Sequence, residues 1–134
     1  MSPPERGLFD TSVLIASESS RPLDVTALPS TAAVSAVTVA ELHLGVLAAA
    51  DDEIRARRLA TLGGISDIEV IPIDEAVAAS WALLRLRIAT LGRRLNVNDL
   101  WIAATSLTHG LPIVTQDADF DPIAGVSGVV VIRV

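Results

Sequence analysis

The sequence predicts one α/β domain, residues 1–134, built on a central parallel sheet that is covered by helices on both faces. Three observations predict it. Short apolar, β-branched runs lack the polar alternation of a half-exposed strand and suit strands buried on both faces. Helical stretches separate them, and strands that alternate with helices form parallel sheets with right-handed crossovers. A chain of 134 residues that is 51% hydrophobic can bury one core and scarcely a second.

The elements follow in order. Gly7 to Phe9 reads as a short buried strand that turns at Asp10, Thr11 and Ser12, with a helix starting over Val13 to Ala16. Ala32 to Val37 is the second strand. Thr38 opens a helix to about Ala50, and Asp51 to Leu62 forms another, with acids first and Arg55, Arg57 and Arg58 later, as the macrodipole favours. Gly63 and Gly64 are expected to stop it. Glu69 to Ile73 is the third strand, and Asp74 begins a long helix to Leu91 that Gly92 terminates. Asn96 or Asn98 caps the next helix, which His109 and Gly110 end. Pro112 to Thr115 is the fourth strand, Gln116 to Ala124 a polar loop, and Val129 to Ile132 the fifth strand.

Composition narrows the chemistry. The formal net charge is −6, and no lysine occurs, so all ten cationic residues are arginines. A Walker-type phosphate loop, a receiver-type phosphoacceptor and a haloacid-dehalogenase-type phosphatase each need a lysine beside their acidic or phosphate site, and each loses a required part. An acidic balance also excludes a broad basic face for nucleic acid, so any such contact must be local or metal-assisted. The chain has no cysteine, which excludes disulfides and thiolate zinc sites. No apolar run approaches the roughly 18 residues of a membrane span, and the N-terminal segment lacks a secretory signal's apolar region. A soluble, cytoplasmic protein is the expectation.

In a doubly wound sheet the carboxyl ends of the strands and the N-termini of the following helices share one edge, where ligands bind. Asp10 ends the first strand and Asp117 follows the fourth. Glu41 falls early in the helix after the second strand, and Asp99 early in the helix before the fourth. Each acid also has an ordinary explanation. Thr38 with Glu41, and Asn96 with Asp99, match capping boxes; Asp10 suits an Asx turn and Asp117 a polar loop. Together they ask for more. At an effective dielectric of ~20, two carboxylates ~5 Å apart repel by ~3 kcal/mol, and several such pairs would consume a net stability of roughly 5 to 15 kcal/mol. A lysine-free pocket of all-oxygen donors calls for a hard cation such as Mg²⁺ or Mn²⁺.

Four blocks of sequence carry a resemblance: Phe9 to Leu14 (FDTSVL), Thr38 to Leu42 (TVAEL), Asn98 to Ala104 (NDLWIAA) and His109 to Asp117 (HGLPIVTQD). The chain resembles the PIN domain and, in its compact length, a VapC-type toxin ribonuclease, from about Leu8 to Val131. The resemblance implies a sheet of order 3-2-1-4-5, a Mg²⁺- or Mn²⁺-dependent endoribonuclease, a VapB-type antitoxin that neutralises it, and an RNA substrate such as a transfer RNA loop. By position, Asp10 matches the family's strand-one acid, Glu41 its helix Glu, Asp99 the acid opening the late helix, and Asp117 the acid after strand four. These four are the candidate catalytic residues and metal ligands. At the last position Asp119 and Asp121 also stand nearby, and Asp119 is the second choice. The alternative on the same fold is an inactive PIN-like binding module whose acidic pocket holds a structural cation.

Thr11 or Ser12, and Thr115, stand beside the acids as candidates to orient a carboxylate or to satisfy turn amides. His43 and His109 lie on a different helix face and at a helix end, away from the acids. Trp81 and Trp101 fall in aliphatic helices and suit core or interface packing. Arg85, Arg87, Arg93 and Arg94 gather where an RNA backbone or plain solvent would meet them. The aliphatic helices from Val39 to Leu62 and from Val77 to Leu91 offer surface for a homodimer face and for an amphipathic antitoxin segment.

Overall fold

The protein is described by a computed structural model over residues 2–134. Five parallel strands form one sheet in the order β3-β2-β1-β4-β5. They are β1 (Arg6–Phe9), β2 (Thr31–Ser35), β3 (Glu69–Ile71), β4 (Ile113–Thr115) and β5 (Val131–Arg133). The helices around it are α1 (Thr11–Leu14), α2 (Ala36–Leu47), α3 (Asp52–Gly64), α4 (Glu75–Thr90) and α5 (Val97–His109). The expected architecture and strand order therefore stand. The order reverses between β1 and β4, so the topological switch point lies where Asp10 and Gln116 leave the sheet.

Local chemistry explains the elements. Asp51, Asp74 and Asn96 each cap a helix by accepting a hydrogen bond from an amide three residues on. Gly110 closes α5 at φ 64°, a left-handed conformation that glycine adopts without a Cβ penalty. In β1, a Cβ on Gly7 would stand 2.7 Å from Val114 Cγ2 and 2.8 Å from Pro29 Cγ, so only glycine lets β1 pass between them. One core unites Leu8, Ala33 and Ile113 of the sheet with Val77, Leu84 and Ile88 of α4 and Leu100, Ile102 and Ala103 of α5.

Several boundaries differ from expectation. β2 ends at Ser35, opposite Ile71 of β3, and the Ser35 hydroxyl then accepts from the Val37 amide at 3.1 Å. Helix α2 thus starts at Ala36, and Thr38 is a fully buried residue inside its first turn, not a cap. Gly63 and Gly64 remain helical because the chain leaves α3 only at Ile65, which is buried. The polar loop after β4 folds into a 3₁₀ segment, Ala118–Ile123, that buries Phe120 and Ile123. Val129 belongs to the turn before β5, its amide bonded to the Val126 carbonyl at 3.0 Å. Trp81 and Trp101 stack with ring centroids 5.0 Å apart and pack against the core, as their aliphatic helices suggested. His43 and His109 are exposed. Among the described residues no helix is long and apolar enough to cross a membrane.

Candidate active site

Asp10 is the most deeply held of the acids, 6% exposed at the carboxyl end of β1. The Asp10 amide continues the ladder to the Val114 carbonyl at 2.9 Å, which fixes where its side chain leaves the sheet. Oδ2 accepts from the Ser12 hydroxyl at 2.8 Å and from the Thr115 hydroxyl at 3.0 Å. Those hydroxyls are themselves aimed. The Gln116 amide donates to Ser12 Oγ at 3.0 Å and the Asp117 amide to Thr115 Oγ1 at 3.1 Å, which leaves each hydroxyl hydrogen free to point at the carboxylate. All of these donors act on Oδ2, and among the described residues none donates to Oδ1.

Glu41 lies in the second turn of α2, too far along for the capping box that its spacing to Thr38 suggested, because Ser35 is the cap. Its partner instead is Thr11, whose hydroxyl donates to Oε1 at 2.9 Å. Asp99 is the third residue of α5, where its amide donates to Asn96 Oδ1 at 3.1 Å. Burial first, and then the charges of Asp10, Asp119, Glu41 and Asp117 in that order, push the Asp99 carboxyl up to about 7. The other four acids named from the sequence are thus all within electrostatic reach of Asp99. Asp117 is partly buried at the head of the 3₁₀ segment, and Asp119, one step on, is exposed.

Among the described residues no three Asp, Glu or His side chains converge tightly enough to form a closed metal cage. The donor set still fits a hard divalent ion. It is all carboxylate oxygen, Asp10 offers an undonated Oδ1, and Mg²⁺ characteristically keeps several waters while taking few protein ligands. Lewis acidity toward water and toward phosphoryl oxygen is the chemistry such an ion brings.

Two participants lie outside the sequence reading. Arg21, in the loop between α1 and β2, reaches Asp117, its Nη1 donating to Oδ1 at 3.2 Å. Gln116, buried beside Asp117, donates from Nε2 to the Pro22 carbonyl at 2.8 Å. The only trace of the first in the sequence is a lone arginine set before a proline; the second has none. Of the arginines near the end of α4, Arg93 bonds the Pro122 carbonyl at 3.2 Å and so ties the turn to the 3₁₀ segment.

The comparisons agree with this geometry. The PIN domain model matches residues 8–126. The chain is 50% identical over 131 residues to Ribonuclease VapC5 of Mycobacterium tuberculosis, covering 98% of this chain and 97% of that protein. It is 44% identical over 115 residues to Ribonuclease VapC4 of the same organism, covering 86% and 88%. Among solved structures it superposes with TM-score 0.91 on a chain of the toxin-antitoxin complex VapBC-5 from M. tuberculosis, at 48% identity over 98% of this chain and 100% of that one. A sheet reversing at β1 and β4, acids gathered at that reversal, and a family model spanning most of the length lead to one assignment: the chain belongs to the PIN domain family.

Proposed function

We propose that this chain is a metal-dependent endoribonuclease of the VapC type, the toxin of a toxin–antitoxin pair, hydrolysing RNA phosphodiesters at the acidic edge of its sheet with Mg²⁺ or Mn²⁺. The observation that carries this reading is the gathering of Asp10, Glu41, Asp117 and Asp119 around Asp99 at the switch point, in a chain without lysine. Relatives that are named ribonucleases support it.

Asp10, Glu41 and Asp99 would hold the ion, directly or through water. Ser12 and Thr115 orient Asp10, and Thr11 orients Glu41, so that each carboxylate keeps one oxygen without a donor among the described residues. Held by Asp10, Glu41 and Asp99, a divalent ion would supply Lewis acidity toward a water and toward the phosphoryl oxygens. The N-terminus of α5 beside Asp99 favours an anionic phosphate. Cleavage by water would leave 5′-phosphate and 3′-hydroxyl ends. A VapB-type antitoxin is the expected protein partner, as in the complex that this chain resembles. An apolar groove of about 540 Å³ lined by Phe9, Val13, Leu14, Leu23 and Leu28 beside α3 suits an amphipathic segment. Leu83 and Leu86 on α4 are exposed and offer aliphatic surface for a homodimer. The cytoplasm is the compartment where such a substrate and partner meet.

The test is incubation of purified protein with mixed RNA in Mg²⁺, Mn²⁺ or EDTA, followed by sequencing of the ends. Cleavage that requires the metal and is lost in Asp10→Ala supports the reading; undiminished cleavage in EDTA ends the metal-dependent mechanism. No cleavage under any condition would favour a binding module.

A further inference from the structure

Among the described residues, one cationic side chain stands within ion-pair distance of the five edge acids, and it is Arg21 on Asp117. The pair joins residues 96 apart in sequence. Arg21 is placed by its main chain as well as by its tip. Its amide bonds the Ala16 carbonyl at 3.0 Å, Ser20 before it turns the chain at φ 53°, and the next carbonyl, of Pro22, accepts from Gln116 at 2.8 Å. Gln116 is 8% exposed and directly precedes Asp117, so one buried side chain locks the loop that carries the cation to the strand end that carries the acid.

Stability does not account for this arrangement. The Arg21 and Asp117 side chains are 48% and 35% exposed, and such pairs contribute little to folding. A guanidinium has five N–H donors in a planar fork, and Asp117 takes one of them. Among the described residues the other four have no protein partner and stay available beside the acid that holds the first, in a protein whose net charge of −6 would otherwise repel RNA there. Bidentate binding of phosphate is what that fork does well.

We propose that Arg21 binds a backbone phosphodiester of the RNA next to the scissile one, and that Asp117 is the residue positioning its guanidinium, leaving Asp10, Glu41 and Asp99 as the metal-holding set. The proposal rests on the ribonuclease reading above and assigns a substrate contact to a residue that the catalytic carboxylates do not include. It also explains why the fourth acid sits at the rim: an anchor for a cation need not be buried.

The experiment measures RNA affinity and metal affinity separately on the full chain. In EDTA, where cleavage is off, fluorescence anisotropy of a labelled mixed-sequence RNA oligonucleotide should show Arg21→Ala binding on the order of tenfold weaker, the usual worth of a charge-assisted phosphate contact. Its salt slope should fall by about one. Arg21→Lys should restore part of the loss. Asp117→Asn should weaken RNA binding in the same direction, and the double variant should be no worse than Arg21→Ala alone. Arg6→Ala removes an equal charge at the opposite end of β1 and should leave affinity within about twofold, since exposed charges beyond a Debye length are screened. Mn²⁺ affinity by titration calorimetry should be unchanged in Asp117→Asn. Wild-type-like RNA affinity in Arg21→Ala, an equal loss in Arg6→Ala, or a large loss of Mn²⁺ affinity in Asp117→Asn overturns the assignment while leaving the ribonuclease reading intact. A wild-type protein that neither binds nor cleaves RNA overturns both.

Discussion

The Thr115 hydroxyl donates to Asp10 Oδ2 across 3.0 Å, joining two strand ends that lie 105 residues apart in the chain. The contact exists because β1 and β4 are adjacent at the point where strand order reverses. It sets both the rotamer of Asp10 and which of its oxygens is free.

Thr115→Val keeps the shape and removes the donor. Thermal unfolding should show a loss of about 1–3 kcal/mol, the cost of leaving a buried partner short of a hydrogen bond. Cleavage should fall roughly 10- to 100-fold, as when an orienting partner of a metal ligand is lost. Unchanged cleavage would mean that Ser12 alone suffices to orient Asp10.

Asp99 makes stability depend on pH. Its carboxyl titrates near 7 in the folded protein against 3.8 ordinarily, so between those values the folded state binds more protons than the unfolded state. Metal-free protein should therefore lose stability as pH rises from about 4 to 7 and level off above that. Asp99→Asn should abolish cleavage, flatten this profile and unfold at an equal or higher temperature at pH 8. A large loss of stability would instead give Asp99 a structural role at the head of α5.

Ser35 and Glu41 separate capping from chemistry. Ser35→Ala should cost about 1 kcal/mol, because Ser35 caps α2. Glu41→Gln should leave thermal stability nearly unchanged, since Thr11 still finds an oxygen, while cleavage falls steeply. The reverse pattern would restore the capping-box explanation for Glu41.

Gly7→Ala tests the sheet beneath the site. The new methyl would meet Val114 and Pro29, both buried, and overpacking of this kind costs typically 1–3 kcal/mol. Denaturant unfolding should show the midpoint falling with an unchanged slope. A neutral result would show that β1 and β4 can separate without loss.

Several features were legible in the sequence because they are local. Apolar β-branched runs identify the strands, although only β1, β2 and β4 are mainly buried and the edge strands β3 and β5 stay partly exposed. Asp51, Asp74 and Asn96 announce helix starts, and acids placed at strand ends and early in helices share an edge once the sheet is parallel. The start of α2 was not legible. Ser35 and Thr38 are both acceptable caps, and the choice fell to the pairing of Ser35 with Ile71, which ends β2 there. The partners of the acids were decided by tertiary structure alone. Thr11 with Glu41, Thr115 with Asp10 and Arg21 with Asp117 are 30, 105 and 96 residues apart, and no local pattern encodes a contact across such separations. Side-chain type and spacing determined which acids this protein brings to its sheet edge; strand order and loop anchoring decided what each acid is bonded to, and so which oxygens it has left for chemistry.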